Sequence, residues 1–239
     1  MVKNIKTFVN SFNLAEGFCI KLLEIVSQSK GNVNIALSGG NTPKIIFGEI
    51  VNSYKKKIDW KKVHFFWVDE RCVPPAHRES NYGMAHRHLI SHLNIPLKNI
   101  HRIKGENDPY EESARYSKEI KESIKKQNGI PRFNLIVLGL GEDGHTASIF
   151  PDQIKIMNSD NICEVAVHPE SKQKRITLTG KIINNAEHIL FLVSGKSKAE
   201  IVSKVLNETL GNKKYPASYI KPSNGILEWY LDMEASALL

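Results

Sequence analysis

Four short, nearly continuous apolar runs restrict the fold more than any other feature: 33–37 (VNIAL), 63–68 (VHFFWV), 135–138 (LIVL) and 189–193 (ILFLV). Each is strand-sized and lacks polar alternation, the pattern of strands covered on both faces of a parallel sheet. Helix-period stretches separate them. Residues 14–28 put Leu14, Ala15, Phe18, Cys19, Leu22, Ile25 and Val26 on one face. A second helix opens at Thr42-Pro43, with Thr42 as N-cap, Pro43 at the first helical position and Ile46, Phe47, Ile50 and Val51 inward. Ser80-Asn81-Tyr82-Gly83 leads into a helix carrying His86, His88 and His92. The charged stretch 109–127, with a thin stripe of Ala114, Ile120 and Ile124, reads as an outer helix. Past the last run a helix starts near Ser197 with Ile201, Val202, Val205 and Leu206 inward. Strands alternating with helices predict an α/β fold with a largely parallel sheet flanked by helices. Residues 165–167 and 175–179 add strands, Ile182-Ile183 with Ala186 a short helix, and Trp229-Tyr230 a short terminal helix. No repeat, low-complexity segment or linker interrupts the chain, so residues 1–239 are expected to form one domain.

Each run delivers unusual residues at its C-terminal end, where open α/β sheets bind ligands. After 33–37 comes Ser38-Gly39-Gly40-Asn41-Thr42, glycines ahead of a helix N-terminus. Its free N–H groups suit an anion such as phosphate, although a plain strand-to-helix turn has the same look. After 63–68 come Asp69, Glu70 and Arg71. After 135–138, Gly139, Gly141 and Gly144 permit a tight turn and close backbone approach, and Asp143 and His145 set a carboxylate and a base two residues apart. Thr146-Ala147-Ser148 reads as the start of a helical turn that Pro151 cuts short. The last run ends in Ser194-Gly195-Lys196-Ser197-Lys198. All four ends are expected to meet in one crevice.

Several function classes drop out. The net charge is +8, but the densest basic cluster, Lys55-Lys56-Lys57 with Lys61-Lys62, carries no aromatic ladder. It reads as a solvated face, and no nucleic-acid partner is expected. No run nears the ~18 apolar residues of a membrane span, so no membrane partner is expected either. Met1-Val2-Lys3-Asn4-Ile5 lacks a signal peptide's apolar core, and three widely spaced cysteines suggest neither disulfides nor a zinc knuckle. The cytoplasm is the expected compartment. His88 and His92 lie four apart, as on one helix face, without an HExxH pattern or an acidic ligand; a basic surface helix is the reading, not a metal site. Gly139 to Gly144 match GxGxxG, with Glu164 about twenty positions on. The fingerprint needs a full helix after the third glycine and an acid at a strand's end, whereas Pro151 is close and Glu164 begins a strand. No dinucleotide, other cofactor or metal is expected.

At LSGGNTPK (37–44), DERCVPP with SNYG (69–75, 80–83), GLGEDGHTASIFP (139–151), RITLT (175–179), SGKSKA (194–199) and PASYI (216–220), the chain resembles the 6-phosphogluconolactonases, within the wider group that includes glucosamine-6-phosphate deaminases. The segments span nearly the whole chain, and GxDGHTASxFP is the specific one. The resemblance implies a Rossmann-like sheet with a smaller appended lobe. Deaminases carry a glutamate five residues beyond the histidine, where Phe150 stands here, and DEY where this chain has Asp69-Glu70-Arg71. Both differences favour the lactonase. Asn41 replaces a more usual serine, and Gly180 interrupts the run after RITLT.

The resemblance implies a small sugar-phosphate substrate, 6-phospho-D-glucono-1,5-lactone, hydrolysed to 6-phospho-D-gluconate in the oxidative pentose phosphate pathway. Hydrolysis needs a base for water, a donor for the oxyanion and a proton for the departing ring oxygen. His145 is the expected base and then acid, kept neutral by a helix N-terminus. Asp143 either orients it or shapes the turn, and Arg71 serves either the phosphate or the oxyanion. Gly39, Gly40, Asn41, Thr42 and Lys198 are the phosphate candidates, with Asp69 also in the site. The competing readings are a sugar-phosphate deaminase or isomerase and a non-catalytic sugar-phosphate sensor.

Overall fold

In the computed structural model, residues 4–207 and 214–239 are described; Met1-Val2-Lys3 of the N-terminal segment lie outside them. The chain runs β1 (Asn4–Phe8), α1 (Ser11–Gln28), β2 (Val33–Leu37), α2 (Asn41–Glu49), β3 (Val63–Trp67), β4 (Asp69–Arg71), α3 (Asn81–His88) and α4 (Pro109–Ser123). A short hairpin, β5 (Lys126–Gln127) and β6 (Ile130–Pro131), leads to β7 (Leu135–Leu138), β8 (Cys163–Val167), β9 (Lys174–Leu178) and α5 (Gly180–Asn184). The chain closes with β10 (His188–Val193), α6 (Ala199–Leu206) and β11 (Ile226–Asp232).

The four apolar runs form the middle and one edge of a six-stranded sheet, in the order β1-β11-β10-β7-β2-β3 with every pair parallel. Every residue of β2 and β7 is buried, which is why neither shows polar alternation. From β2 the chain moves outward to β3 and then returns to β7 on β2's other side. Connections leaving β2 and β7 therefore diverge, and a crevice opens between their C-terminal ends.

A second, antiparallel sheet, β4-β9-β8, makes the smaller lobe. Val68 is the joint: its N–H donates to Leu37 of the large sheet at 2.9 Å, and its carbonyl accepts from Leu178 of the small one at 2.8 Å. The Tyr116 hydroxyl seals this break. It accepts from the Trp67 N–H at 2.8 Å and donates to the Trp67 carbonyl at 3.0 Å, with the ring fully buried. Helix α4 also packs against β8 and β9, and it buries Glu112, Ser113, Tyr116 and Ile120 while Ala114 is exposed. The expected apolar stripe was incomplete because its strongest anchors are polar.

Four further expectations are corrected. Trp229-Tyr230 lie in strand β11, not a helix; Glu228 breaks its apolar pattern, buried between Lys6 at 3.0 Å and Lys21 at 3.4 Å. Thr42 does not cap α2: Gly40 holds the N-cap position at φ 111°, and the Thr42 hydroxyl pairs with Ser194 at 2.9 Å. Helix α3 ends at His88, and His92 belongs to a separate 3₁₀ turn, so the two histidines do not share a helix face. Thr146-Ala147-Ser148 start no helix; Thr146 and Ile149 close a tight turn, with Ala147 at φ 53°. Strand β1 escaped the reading because it is a polar edge strand, NIKTF. No described helix is long and apolar enough to cross a membrane.

Replacing Tyr116 with Phe strands the buried N–H and carbonyl of Trp67. Urea denaturation is expected to show a loss of about 1–3 kcal/mol in unfolding free energy.

Candidate active site

The crevice between the ends of β2 and β7 encloses about 230 Å³. Its first wall is the loop after β2, tied across the sheet by the Ser38 hydroxyl donating to the Val137 carbonyl at 2.7 Å. Gly39 has no room for a side chain, because a Cβ there would lie 1.8 Å from the Asn81 amide oxygen. The amides that open α2 receive no side-chain cap among the described residues, which leaves donors at this wall.

The turn after β7 forms the second wall. Asp143 Oδ1 accepts from the His145 backbone N–H at 3.0 Å and lies 2.6 Å from His145 Nδ1. A Cβ on Gly141 would sit 2.1 Å from that ring nitrogen, so the carboxylate–imidazole pair needs glycine beneath it. Partial desolvation works to raise the Asp143 carboxyl, but the hydrogen bond and charge of His145 outweigh it and hold the group below the ordinary carboxylate range. An ionised carboxylate only accepts, so Nδ1 carries the proton, and Nε2 of the neutral ring keeps its lone pair. No helix opens at Thr146–Ser148; the next one, a 3₁₀ helix, begins only at Pro151, so the expected helix N-terminus does not start at the turn that carries His145. Its other neighbour is the buried ring of Phe150, with centroids 4.9 Å apart.

The small lobe supplies the third wall. Along β4, side chains alternate: Asp69 and Arg71 line the crevice while Glu70 turns away. Asp69 is buried; its Oδ2 accepts from the Ser148 hydroxyl at 2.5 Å, and its carbonyl accepts from the Asn81 amide at 2.9 Å. Glu70 accepts from the N–H groups of Arg71, Asn81 and Tyr82 at 2.7–2.8 Å and from the Ser80 hydroxyl at 3.0 Å. It therefore welds α3 to β4. Burial pushes its carboxyl up to about 6, against the opposing pull of those backbone donors.

Arg175, on β9, was not among the expected site residues. It pairs directly across from Arg71, and both guanidinium groups line the crevice. Arg71 donates to the Glu79 carbonyl at 2.7 Å, and Arg175 lies 3.5 Å from the Ser148 hydroxyl and 5.5 Å from the Phe150 ring centre. Each retains a buried Nε–H with no hydrogen-bond partner among the described residues. Burial and the charge of Arg71 together lower the Arg175 pKa. Two like charges facing each other across a sheet are unfavourable by themselves, and an anion between them relieves both the repulsion and the unpaired donors. RITLT was a visible motif, but only strand pairing shows that its first residue faces Arg71.

Lys198 closes the rim, three-quarters buried, its Nζ 3.9 Å from Glu142. The Gly195 turn before it, at φ 97°, is held by both carboxylate oxygens of buried Asp232 at 3.0 Å. Of the expected residues, Gly39, Gly40, Asp69, Arg71, His145 and Lys198 line one crevice, with Asp143 directly behind His145. Asn41 and Thr42 begin α2 outside the lining. Among the described residues, no group of three His, Cys, Asp or Glu side chains is arranged to hold a metal ion.

A family model described as glucosamine-6-phosphate isomerases/6-phosphogluconolactonase matches residues 12–229. The 6-phosphogluconolactonase of Haemophilus influenzae is 47% identical over 216 residues, covering 90% of this chain and 91% of that one. A crystal structure of the devB protein superposes with a TM-score of 0.94 at 43% identity, over 99% of both chains. The 6-phosphogluconolactonase structure from Trypanosoma brucei superposes with a TM-score of 0.89 at 28% identity, over 99% of this chain and 98% of that one.

Glu70 carries a pH signature. Its folded value near 6 lies above that of a free carboxyl, so its contribution to stability is full below the free value and is lost as pH rises through about 6. Denaturation between pH 4 and pH 7 is expected to differ in slope between wild type and Glu70→Gln, by about 2 kcal/mol over the interval.

Proposed function

The chain belongs to the glucosamine-6-phosphate isomerase/6-phosphogluconolactonase family, and from that premise we propose that it hydrolyses 6-phospho-D-glucono-1,5-lactone to 6-phospho-D-gluconate, as a single domain, in the oxidative pentose phosphate pathway. One observation carries the reading: a histidine whose Nδ1 is held by a carboxylate shares a small crevice with two guanidinium groups, each with a buried Nε–H that has no hydrogen-bond partner among the described residues. The three cysteines are free thiols, in keeping with a reducing cytoplasmic compartment.

His145 Nε2 takes a proton from water as the oxygen attacks the lactone carbonyl carbon. Asp143 holds the ring and stabilises the imidazolium that forms. The tetrahedral intermediate then collapses, the bond to the ring oxygen breaks, and the imidazolium returns its proton to that oxygen. The products are a free hydroxyl and a carboxylic acid, which ionises in solution. The substrate's phosphate is a dianion, and Arg175, Lys198 and the Gly39–Gly40 amides form its subsite. Arg71 adds positive field to the phosphate and to the charge developing on the carbonyl oxygen.

The deaminase reading loses support at residue 150. The ring of Phe150 is buried between His145 and His168, so no second carboxylate reaches the imidazole from this position.

Release of 6-phosphogluconate from freshly made lactone, above the spontaneous rate, tests the proposal. Wild type is expected to accelerate it strongly, and His145→Ala to lose on the order of 10²–10⁴-fold in kcat. An equally active mutant sinks the assignment of the base. A wild type inert on the lactone but active on glucosamine 6-phosphate sinks the reaction itself. Arg175→Met is expected to raise KM on the order of tenfold or more, with a smaller change in kcat, the pattern of a lost binding contact.

A further inference from the structure

The turn that carries Asp143 and His145 is not held by its own hydrogen bonds alone. Within it, Gly141 N–H donates to the His145 carbonyl at 2.9 Å and Gly144 N–H to the Gly141 carbonyl at 3.0 Å. The Gly144 carbonyl looks outward, and its partner comes from far along the chain: the N–H of buried Ala217, at 3.1 Å. Ala217 lies in the 3₁₀ turn Pro216–Tyr219, and the residue before that turn, Tyr215, packs directly onto Gly144. A Cβ on Gly144 would lie 2.4 Å from Tyr215 Cδ1 and 2.8 Å from Tyr215 Cβ.

Gly144 stands between the carboxylate and the base, with φ at 82°. Its backbone angles set the direction of one side chain relative to the other. Neither side chain is locked by burial: Asp143 is 41% exposed and His145 is 26% exposed. Their alignment depends on how firmly the peptide between them is clamped.

We propose that Tyr215, with the Ala217 N–H, is a positioning element for His145: it clamps Gly144 so that Asp143 and the imidazole stay aligned. It touches neither substrate nor the reacting atoms and acts through the turn. The kinetic part of this inference rests on the lactonase reading above; the structural part does not.

Kinetics and NMR test it together. Tyr215→Ala is expected to lower kcat on the order of 10–100-fold, the cost of a small misplacement of a reacting group, with KM within about twofold of wild type. Tyr215→Phe keeps the ring and is expected to match wild type. Ala217→Pro deletes the donor to Gly144 and is expected to reproduce the loss in kcat. Titration of the His145 ring by ¹³C or ¹⁵N NMR in the free protein gives a readout independent of turnover. Its midpoint in Tyr215→Ala is expected to move toward that of Asp143→Asn, and in Tyr215→Phe to stay put. Wild-type kcat together with a wild-type titration in Tyr215→Ala would overturn the proposal, as would a change in KM alone, which marks a substrate contact. Circular dichroism monitors folding; should Tyr215→Ala fail to fold, Tyr215→Leu and Ala217→Pro carry the same comparisons. A wild type inactive on the lactone defeats the functional reading and leaves the NMR comparison standing.

Discussion

A carboxylate that faces away from the crevice holds much of this architecture in place. Glu70 is almost wholly buried, and a buried carboxylate persists only where donors replace its water. It takes three backbone N–H groups and a serine hydroxyl, and those donors belong to β4 and to the start of α3. The join between the two lobes is thereby rigid where Asp69 and Arg71 stand. Strand alternation does the rest, sending Glu70 inward and its two neighbours to the crevice. One residue's solvation requirement thus aims two others.

The second organising constraint is close approach. Gly39 yields its side-chain volume to Asn81, Gly141 to the Asp143–His145 pair and Gly144 to Tyr215. These contacts pin two loops that would otherwise be free to move on the ends of buried strands. The crevice also gathers unspent positive charge. Arg71 and Arg175 face each other, each with a buried Nε–H unpartnered among the described residues, an arrangement that favours a dianion. That imbalance, set beside an imidazole with one nitrogen committed to a carboxylate, is what the proposed lactone hydrolysis draws upon.

Much of this was legible in the chain. The four apolar runs announced buried parallel strands, because residues covered on both faces have no polar side to alternate with. The residues at their ends announced a common rim, because parallel strands bring all their C-termini to one edge. What failed to read was whatever had a polar reason to be buried. Strand β11 hid behind Glu228, ion-paired with two lysines from β1 and α1. The buried face of α4 hid behind Glu112, paired with Arg115 and the Lys104 N–H, and behind Tyr116, whose partner is the distant backbone of Trp67. Thr42 looked like a helix cap, but its hydroxyl goes to Ser194 across the crevice rim.

By itself, the sequence determined the four buried strands and the common rim to which they bring the glycines, Asp143, His145 and Lys198, because each is written in local composition and spacing. Tertiary structure alone decided which arginines meet. Arg71 and Arg175 become neighbours only through the antiparallel register of β4 on β9. It alone decided, too, that a tight turn rather than a helix carries Thr146–Ile149, and that Tyr215 and the Ala217 N–H meet Gly144. Pairing register and long-range contact have no local signature, since the hydrogen bonds and packing that select them form only once distant segments are brought together.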